Sequence, residues 1–404
     1  MRSGSTPWAS PHITISGDGS RLDEQLIDVV VVGAGISGAC VAHALAAQGR
    51  PVVMLDRALP AQGSTMASTA LITWELDLPL HLLSRSLGAE AAGVAWTHSL
   101  DSLRALRDLV ERERIACDWD DRSSLYLAGS AHGHRALRAE VAMRAGLGLP
   151  GTFVSSRQLR DRYGLDRTGA VHAEGMAVAD PVKLTSGILR ATQGLQLHCP
   201  VEVTAVRRGE NSVTLETSRG PLRARTVVFC TGYALLDGLP SGGLSVDSTW
   251  AIATPPSADR PTWLDSTIVW EASDPYLYLR STSDGRVIVG GLDEDGEARY
   301  TDREALARKA KRIAVEAGRL LGVGPLDVDC SWAGAFGSSE SGLPVIGPVP
   351  GIPGCFVVAG FGGNGITHAM LAARLVTGEL QARPLPLAGL YHPVNTPGEA
   401  DSVA

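Results

Sequence analysis

The segment Asp28-Val-Val-Val-Val-Gly-Ala-Gly-Ile-Ser-Gly38 joins a run of four valines to three spaced glycines. Such a valine run is typical of a parallel strand that is buried on both faces. A helix of small residues is predicted over 36–48, with Gly49 as its C-terminal cap, and 51–56 predicts a second strand. This order of strand, helix and strand indicates the βαβ unit of a dinucleotide-binding domain.

Each of the three glycines has a physical reason to occupy its place in the loop. Gly33 permits the tight turn after the strand, Gly35 lets the backbone approach a pyrophosphate, and Gly38 lets the helix pack closely on the strand. The predicted helix begins at Ile36, and Ser37 follows in its first turn. Free N–H groups and the positive end of the helix dipole there favour the binding of phosphate groups. These residues are therefore predicted to bind a dinucleotide.

An acidic residue ends the second predicted strand. Asp56 follows Gly38 by 18 positions, where a carboxylate accepts hydrogen bonds from ribose hydroxyls. Arg57 comes next and is included in the predicted nucleotide site. The loop alone fits either FAD or NAD, so the remainder of the chain has to distinguish the two cofactors.

Composition and charge exclude several other classes of protein. The chain has 404 residues, 44% hydrophobic and 20% charged, which favours a globular protein with two domains. A net charge of −7 argues against nucleic acid as the main partner. The six cysteines lack metal-ligand spacing, so no metal site is predicted, and they fit a reducing cytoplasm. Without a run of 18 apolar residues, no membrane span is expected.

The order of predicted strands and helices indicates an α/β fold. A Rossmann-type nucleotide-binding domain is expected to be interrupted twice by a second, α+β domain built on an antiparallel sheet. The predicted segments are a disordered leader (1–26), the nucleotide-binding domain (27–83, 175–235 and 325–382), the second domain (84–174 and 236–324) and an irregular tail (383–404).

Local signals set the expected boundaries of individual elements. Amphipathic periodicity predicts helices over 88–114 and 301–322. Asp180 and Pro181 are predicted as the N-cap and first residue of another helix. The turn Ser283-Asp-Gly285 predicts a β-hairpin, and the region around it is expected to form the sheet of the second domain.

Four further motifs carry a family resemblance. They are Gly63-Ser-Thr-Met-Ala-Ser-Thr69, Thr226-Val-Val-Phe-Cys-Thr-Gly232, Gly342-Leu-Pro-Val-Ile-Gly347 and Val357-Val-Ala-Gly-Phe-Gly-Gly-Asn-Gly-Ile-Thr367. Together they resemble the D-amino-acid oxidase superfamily of FAD-dependent oxidoreductases, which includes glycine oxidase, sarcosine oxidase and γ-glutamylputrescine oxidase. The resemblance covers about residues 27–382, and the C-terminal glycine cluster paired with Gly-Leu-Pro is its most specific part.

The resemblance implies that the cofactor is FAD. It places Ser64 and Thr65 near the pyrophosphate, although either hydroxyl could instead cap the next helix. The backbone of Val203 would pair with the adenine. Thr231 and Gly232 would end a buried strand at the point where it approaches the cofactor.

A second glycine cluster precedes the last predicted helix, which covers 366–378. By resemblance, the N-terminus of this helix would face the pyrimidine end of the isoalloxazine. Its dipole would stabilise the negative charge that builds at N1 and O2 on reduction. A flexible loop is the alternative, against which the preceding five-residue apolar strand argues. The cluster consists of Gly362, Gly363, Asn364, Gly365 and Ile366.

The sequence departs from its relatives at the substrate carboxylate. In the glycine-oxidase and D-amino-acid-oxidase branches, an Arg before the Gly-x-Pro motif binds this carboxylate. Alignment on Gly342 without gaps places Phe336 there. Either the substrate lacks an α-carboxylate, or another arginine such as Arg280 replaces the missing one. Trp332 and Phe336 would suit an amine with an apolar or cationic part, or would simply pack in the core.

Two other departures concern oxygen and covalent flavin. Monomeric sarcosine oxidase has a Lys that helps oxygen react, on the strand corresponding to 286–290, and no Lys occurs here from 184 to 308. The use of O2 is therefore open. The position of the His that tethers flavin in some relatives is Ala67, and no Cys stands directly before Gly342. Non-covalent FAD is therefore expected.

In this superfamily the neutral amine gives a hydride from its α-carbon to flavin N5, and the resulting imine hydrolyses in water. The protein has to position the C–H bond and exclude solvent. Glu75 could hold a cationic amine or could be a solvated loop residue. The candidate pocket residues are Trp74, Glu75, Tyr276, Tyr278, Arg280, Trp332, Phe336 and His368.

The leading hypothesis is an FAD-dependent oxidase of a small amine or amino acid that uses O2. The first alternative is a dehydrogenase that passes electrons to a quinone or an acceptor protein. The intact glycine motifs at both cofactor ends argue against a third hypothesis, a nucleotide-binding protein without catalysis. A flavin monooxygenase driven by NADPH would need a second pyridine-nucleotide site, and no second G-x-G-x-x-G follows a strand.

Overall fold

The computed structural model describes residues 2–10, 13, 26–240, 243–256 and 259–393, apart from the side chains of 297 and 298. Within this part of the chain there are nine α-helices and eighteen β-strands. The helices are α1 (Ile36–Ala46), α2 (Ser64–Ala67), α3 (Leu80–Leu87), α4 (Ala89–Arg112), α5 (His134–Gly146), α6 (Ser156–Tyr163), α7 (Pro181–Ala191), α8 (Arg303–Leu321) and α9 (Gly365–Leu380). The strands are β1 (Arg2–Gly4), β2 (Ile27–Val32), β3 (Val52–Leu55), β4 (Leu71–Ile72), β5 (Asp120–Ala128), β6 (Thr152–Ser155), β7 (Gly169–Val178), β8 (Gln196–His198), β9 (Val203–Arg208), β10 (Val213–Thr217), β11 (Leu222–Phe229), β12 (Ser245–Ala253), β13 (Thr267–Ala272), β14 (Leu277–Ser281), β15 (Val287–Asp295), β16 (Cys330–Ser338), β17 (Val345–Pro348) and β18 (Cys355–Ala359).

The valine run lies at the centre of a mainly parallel sheet. Its strand order is β17–β18–β11–β2–β3–β8, and β10 and β9 continue from β11. Val29 and Val31 pack in the core that contains α1 and α9, whereas Val30 packs in the core on the other side. All three side chains are fully buried, because the sheet is covered on both faces. The predicted fold class is confirmed.

A second sheet is almost wholly antiparallel. Its order is β1–β16–β12–β15–β14–β13–β5–β7–β4, with β6 against β7, and β13 and β5 are the parallel neighbours within it. The apolar stripe of α8 covers one face, where Ala310, Ile313 and Ala317 pack with Trp250 and Val289. The predicted hairpin joins β14 to β15. This sheet forms one wall of the cavity that contains the candidate site.

Two of the predicted domain ranges contain elements that pack with the other part of the molecule. The range 325–382 was assigned to the nucleotide-binding domain, but β16 pairs with β12 along its whole length and belongs to the antiparallel sheet. The range 84–174 was assigned to the second domain, but α4 contributes Trp96 and Leu100 to the core of α1 and α9. Both β16 and α4 lie where their apolar or small-residue faces can pack. The order of elements along the chain does not reveal this packing.

The prediction of a disordered leader is wrong for residues 2–10. β1 pairs antiparallel with β16, with Arg2 opposite Gly334 and Gly4 opposite Trp332. Without β1, that side of β16 would present unpaired backbone N–H and C=O groups, which a further strand satisfies. Trp8 extends the attachment, since its indole N–H donates to the Ser68 carbonyl oxygen at 3.0 Å. The rest of the leader, apart from residues 13 and 26, lies outside the described residues.

The remaining local predictions have mixed outcomes. Asp180 caps α7 by accepting from the N–H groups of Val182 and Lys183, both at 2.9 Å, and Pro181 is the first helical residue, as predicted. The described part of the tail ends in a short 3₁₀ turn, and residues 394–404 lie outside the described part. No helix among the described residues is long and apolar enough to cross a membrane. The same residues contain no group of three acidic, His or Cys side chains placed to hold a metal.

Candidate active site

A cavity of about 570 Å³ is lined by residues from both sheets, and this volume is typical of a site for a small molecule or cofactor. Both glycine-rich turns, one near each end of the chain, open onto it. The predicted cofactor residues that line it are Gly33, Gly35, Ile36, Ser37, Asp56, Arg57, Ser64, Thr65, Val203, Thr231, Gly232, Gly362, Gly363, Asn364, Gly365 and Ile366. Gly38 lies just behind the lining.

The N-terminal glycine loop is closely packed against its surroundings. A Cβ atom on Gly33, where φ is +110°, would stand 2.2 Å from the carbonyl oxygen of Cys230. A Cβ atom on Gly38 would stand 1.9 Å from the carbonyl oxygen of Gly33. The Thr65 hydroxyl accepts a hydrogen bond from the Ile36 N–H at 3.0 Å. Thr65 therefore supports the loop, and it does not cap its own helix, whose N-cap is a glycine without a side-chain bond.

Asp56 organises the same end of the cavity. Its carboxylate accepts from the Ala34 N–H at 2.6 Å and from the Ala58 N–H at 2.8 Å. Burial raises the pKa of this carboxyl, and the two backbone N–H groups oppose that rise. The Asp56 carbonyl oxygen also accepts from the Val201 N–H at 2.7 Å, which holds the segment leading into Val203 against the cavity.

The C-terminal glycine turn is fixed by residues 73–77. The Gly363 N–H donates to Asp77 Oδ2 at 2.7 Å, and a Cβ atom on Gly362 would stand 2.3 Å from the same oxygen. Asn364 donates through Nδ2 to the Glu75 carbonyl oxygen at 2.8 Å and accepts from the Thr73 hydroxyl. The turn is therefore a fixed structure at the N-terminus of α9, and the alternative of a flexible loop does not describe it.

The residues around the cavity fit a flavin dinucleotide. The two glycine turns face one continuous space, and side chains at Gly33 or Gly362 would disturb its walls. The buried Thr231 hydroxyl lines this space and has no hydrogen-bond partner among the described residues. A buried polar atom without a partner is costly, so a bound ligand with a hydrogen-bonding group would stabilise it.

Arg280 does not reach the cavity, although it was considered as a carboxylate anchor. Its guanidinium donates to the carbonyl oxygens of Thr69 at 2.8 Å, Ala179 at 2.9 Å and Ser281 at 3.2 Å. The side chain is 2% exposed. Burial, together with the charge of Arg122, lowers the pKa of Arg280 to about 9. Their alternation in sequence predicts that Tyr276, Tyr278 and Arg280 share one face of a strand. It does not predict how far along that face the cavity extends.

Three other predicted pocket residues are packed behind the lining. Trp332 donates to the Ala67 carbonyl oxygen at 2.8 Å, and Trp74 donates to the Glu174 carbonyl oxygen at 3.0 Å. Nδ1 of His368 lies 2.9 Å from the Phe361 carbonyl oxygen, and burial lowers the pKa of this imidazole to about 4. These side chains support the walls of the cavity, because each fills the core and satisfies a backbone carbonyl.

Glu75 lines the cavity, but both of its carboxylate oxygens already accept hydrogen bonds within the protein. Oε2 accepts from the Ser124 hydroxyl at 2.7 Å, and Oε1 accepts from Arg144. Arg144 also donates to Glu140 at 2.9 Å, and its guanidinium lies over the Trp96 ring at 4.6 Å. Glu75 is therefore part of a buried ion network. Glu75 is thus not a solvated loop residue, and its carboxylate is not free to bind an amine.

The other end of the cavity is lined mainly by aromatic and acidic side chains, and we call it the aromatic chamber. Tyr276 donates its hydroxyl hydrogen bond to Asp293 Oδ2 at 2.6 Å. Sequence reasoning missed Asp77 and Asp293, although Asp77 lies between leucines and Asp293 directly follows an apolar run, as Asp56 does. The residues of the aromatic chamber are Glu75, Asp77, Thr249, Trp270, Tyr276, Tyr278, Asp293 and Phe336.

A lysine approaches this region from the other side of the sheet. Lys309 of α8 forms an ion pair with Glu294 at 2.8 Å, donates to the Leu292 carbonyl oxygen, and lies 4.3 Å from the centre of the Trp250 ring. It does not line the cavity. The described residues of the aromatic chamber include no lysine and no arginine.

The comparison with known families defines the class. A family model described as FAD dependent oxidoreductase matches residues 28–378, and the chain belongs to this family, so the resemblance to the D-amino-acid oxidase superfamily is confirmed. The protein is an FAD-dependent oxidoreductase, and its cofactor is FAD.

Individual relatives are distant but cover nearly the whole chain. Glycine oxidase of Geobacillus kaustophilus is 23% identical over 363 residues, which are 86% of this chain and 91% of that protein. Its crystal structure has a TM-score of 0.77, with 92% of this chain and 99% of that chain covered at 22% identity. L-proline dehydrogenase from P. horikoshii has a TM-score of 0.75 at 18% identity, covering 92% of this chain and 98% of that chain. At such identities the structural matches indicate the fold alone.

Proposed function

We propose that the protein oxidises the C–N bond of an amine or amino acid to an imine, with O2 as the electron acceptor. The observation that carries the proposal is the joining of a glycine-lined cradle and an aromatic chamber in one cavity. The names of two relatives, glycine oxidase and L-proline dehydrogenase, are consistent with oxidation at carbon next to nitrogen. When bound, FAD supplies the acceptor for a hydride from the substrate α-carbon at its N5 atom.

The residues of this chain have two tasks in such a reaction. The N-terminal loop and Asp56 would hold the nucleotide half of the cofactor, and the fixed turn at Gly363 would present the N-terminus of α9 to its other half. The aromatic chamber would orient the substrate C–H bond and exclude water. The imine would then leave the site and hydrolyse in solution.

A dehydrogenase is a second candidate for the same chemistry. The lysine of α8, which would be a cation close to the chamber, is paired with Glu294 and the Leu292 carbonyl oxygen on the far side of β15. The described lining of the aromatic chamber therefore offers no lysine to assist oxygen. This arrangement favours an electron acceptor other than O2, such as a quinone or a protein.

The purified yellow holoenzyme tests the proposal. Mixed without oxygen with a panel of amines and amino acids, it should lose its flavin absorbance with at least one of them and not with NADPH. Bleaching by NADPH alone would indicate a monooxygenase, and no bleaching by any compound would contradict the proposal. Admission of O2 after bleaching then distinguishes the acceptors, because an oxidase regains its colour rapidly and forms peroxide.

A further inference from the structure

The charges of the aromatic chamber point to a particular class of substrate. We infer that the substrate is an aliphatic amine that carries a second positive charge and has no α-carboxylate. The inference rests on the proposed function and makes it more specific. It depends on which charged groups line the chamber, which of them are already neutralised, and what the aromatic walls can bind.

The lining of the chamber contains carboxyl groups and no cationic side chain among the described residues. Glu75 forms an ion pair with Arg144, which it shares with Glu140, whereas no cation lines the chamber beside Asp77 and Asp293 among the described residues. The charge of Lys309 acts on Asp293 only from behind β15. Among the described residues of the cavity lining, Arg57 is the one arginine, and it lies next to Asp56 at the nucleotide end. A substrate carboxylate in the chamber would meet two like charges and no bidentate donor, which disfavours amino acids.

Asp293 has hydrogen-bonding capacity that the protein does not use. Its Oδ2 accepts from Tyr276, and the Thr249 hydroxyl is a second hydrogen-bond partner of the carboxylate, whereas the buried Oδ1 has no partner of normal geometry among the described residues. The nearby Lys309 is held by Glu294 on the other side of the strand. A carboxylate can accept about four hydrogen bonds, and burying one without a cation is unfavourable. An ammonium group of the substrate would donate hydrogen bonds to this carboxylate and would also supply a positive charge beside it.

Asp77 provides the second negative charge. It is fixed by the Gly363 N–H through Oδ2, and it lines the cavity. The pKa of Asp77 is raised by burial and further by the negative charge of Asp293, so the two carboxylates influence each other. A molecule with two positive charges relieves this repulsion, whereas a monocation neutralises only one of the pair.

The aromatic walls favour the same kind of ligand. The rings of Tyr276 and Tyr278 are 6.0 Å apart and inclined by 35°. Tyr278 lies directly against β15, where a Cβ atom on Gly290 would be 2.3 Å from its hydroxyl oxygen. Faces of tyrosine and tryptophan attract ammonium groups and also contact methylene chains. An aliphatic chain with a cationic group at each end matches both properties of this chamber.

Anaerobic bleaching of the holoenzyme with three molecules of equal chain length tests the inference. The molecules are 1,4-diaminobutane, n-butylamine and 4-aminobutyrate, with glycine and proline as α-amino acids. The diamine should have the lowest apparent dissociation constant, about 10-fold or more below butylamine, and the carboxylates should bind most weakly. An α-amino acid that binds more tightly than the diamine would overturn the inference but leave the proposed function intact. If none of these compounds bleaches the flavin but another amine or amino acid of the wider panel does, the inference fails and the proposed function stands. If no compound of that panel bleaches it, the proposed function itself fails.

A variant assigns the preference to a residue. The ratio in question is the dissociation constant of butylamine divided by that of diaminobutane. In D293N this ratio should fall towards one, with the FAD content unchanged. The matched control is D295N, an exposed acid at the end of the same strand, which should keep the wild-type ratio. An unchanged ratio in D293N would contradict the role of Asp293. Should D293N not fold, the order of the three molecules with the wild-type enzyme still decides the substrate class.

Discussion

The two ends of the cavity differ in what lines them: mainly backbone atoms at the nucleotide end, and mainly side chains in the aromatic chamber. At the nucleotide end, the loop from Gly33 to Gly38 presents its backbone, and a Cβ atom on Gly33 or Gly38 would collide with a neighbouring backbone oxygen. In the aromatic chamber the side chains themselves, such as Asp293 and Tyr276, form the lining. The first end thus depends on local chain geometry, and the second depends on long-range packing that positions side chains from separate strands.

This difference predicts how each end responds to mutation. Changes at the nucleotide end should act mainly on FAD affinity, because they alter the shape of one loop. Changes around the aromatic chamber should act mainly on stability or on substrate, because buried polar networks hold its walls. The experiments below test this separation in order of decreasing expected effect.

The largest effect is expected from Arg144→Met. This substitution leaves Glu75 and Glu140 buried without their cation, and breaking a buried ion pair in this way costs about 3–5 kcal/mol. Urea unfolding of the holoenzyme measures the loss. Arg135→Met, an exposed position on the same helix, is the control and should change the free energy of unfolding by less than about 0.5 kcal/mol. Equal stabilities of the two variants would contradict the role of the network.

His368 should make the free energy of unfolding depend on pH, by about 3 kcal/mol. Its pKa is lowered from 6.5 to about 4 in the folded protein. Between these values the unfolded chain binds a proton that the folded chain does not, so stability should fall as the pH drops from 6.5 to 4. His368→Gln should remove that part of the dependence. The measurement is the free energy of unfolding across this pH range, with His134→Gln, an exposed position, as control. Parallel curves for wild type and His368→Gln would exclude this contribution.

The same difference explains what the sequence could predict. The valine run, the glycine spacing and Asp56 lie within 30 residues, so local rules located the nucleotide end. The aromatic chamber combines Asp77 with Tyr276 and Asp293, which are about 200 positions away. Strand alternation predicted that Tyr276 and Tyr278 share a face, but only the three-dimensional packing shows where the cavity ends on that face. For this reason Arg280 was a plausible site residue in the sequence and is a carbonyl-binding core residue in the structure.

At the nucleotide end, Gly33→Ala should weaken FAD binding by about 100-fold, or ~3 kcal/mol. The added Cβ would stand 2.2 Å from the Cys230 carbonyl oxygen, at a φ of +110° that alanine rarely adopts. Titration of the apoprotein with FAD measures the effect. The control is Gly146→Ala, where nothing lies within 4 Å of the added Cβ, and its affinity should equal that of wild type. Tight FAD binding by Gly33→Ala would show that the loop tolerates a shift.

The smallest effect tests whether a side chain matters at the end that backbone groups dominate. Thr65→Val keeps the side-chain volume but removes the acceptor of the Ile36 N–H, which lies 3.0 Å away. A buried donor without a partner costs about 1–2 kcal/mol, so the FAD dissociation constant should rise by about 10-fold, while Thr65→Ser should remain near wild type. If Thr65→Val instead lowers the free energy of unfolding and leaves FAD affinity unchanged, the nucleotide end also relies on side chains for stability, and the distinction between the two ends of the cavity fails.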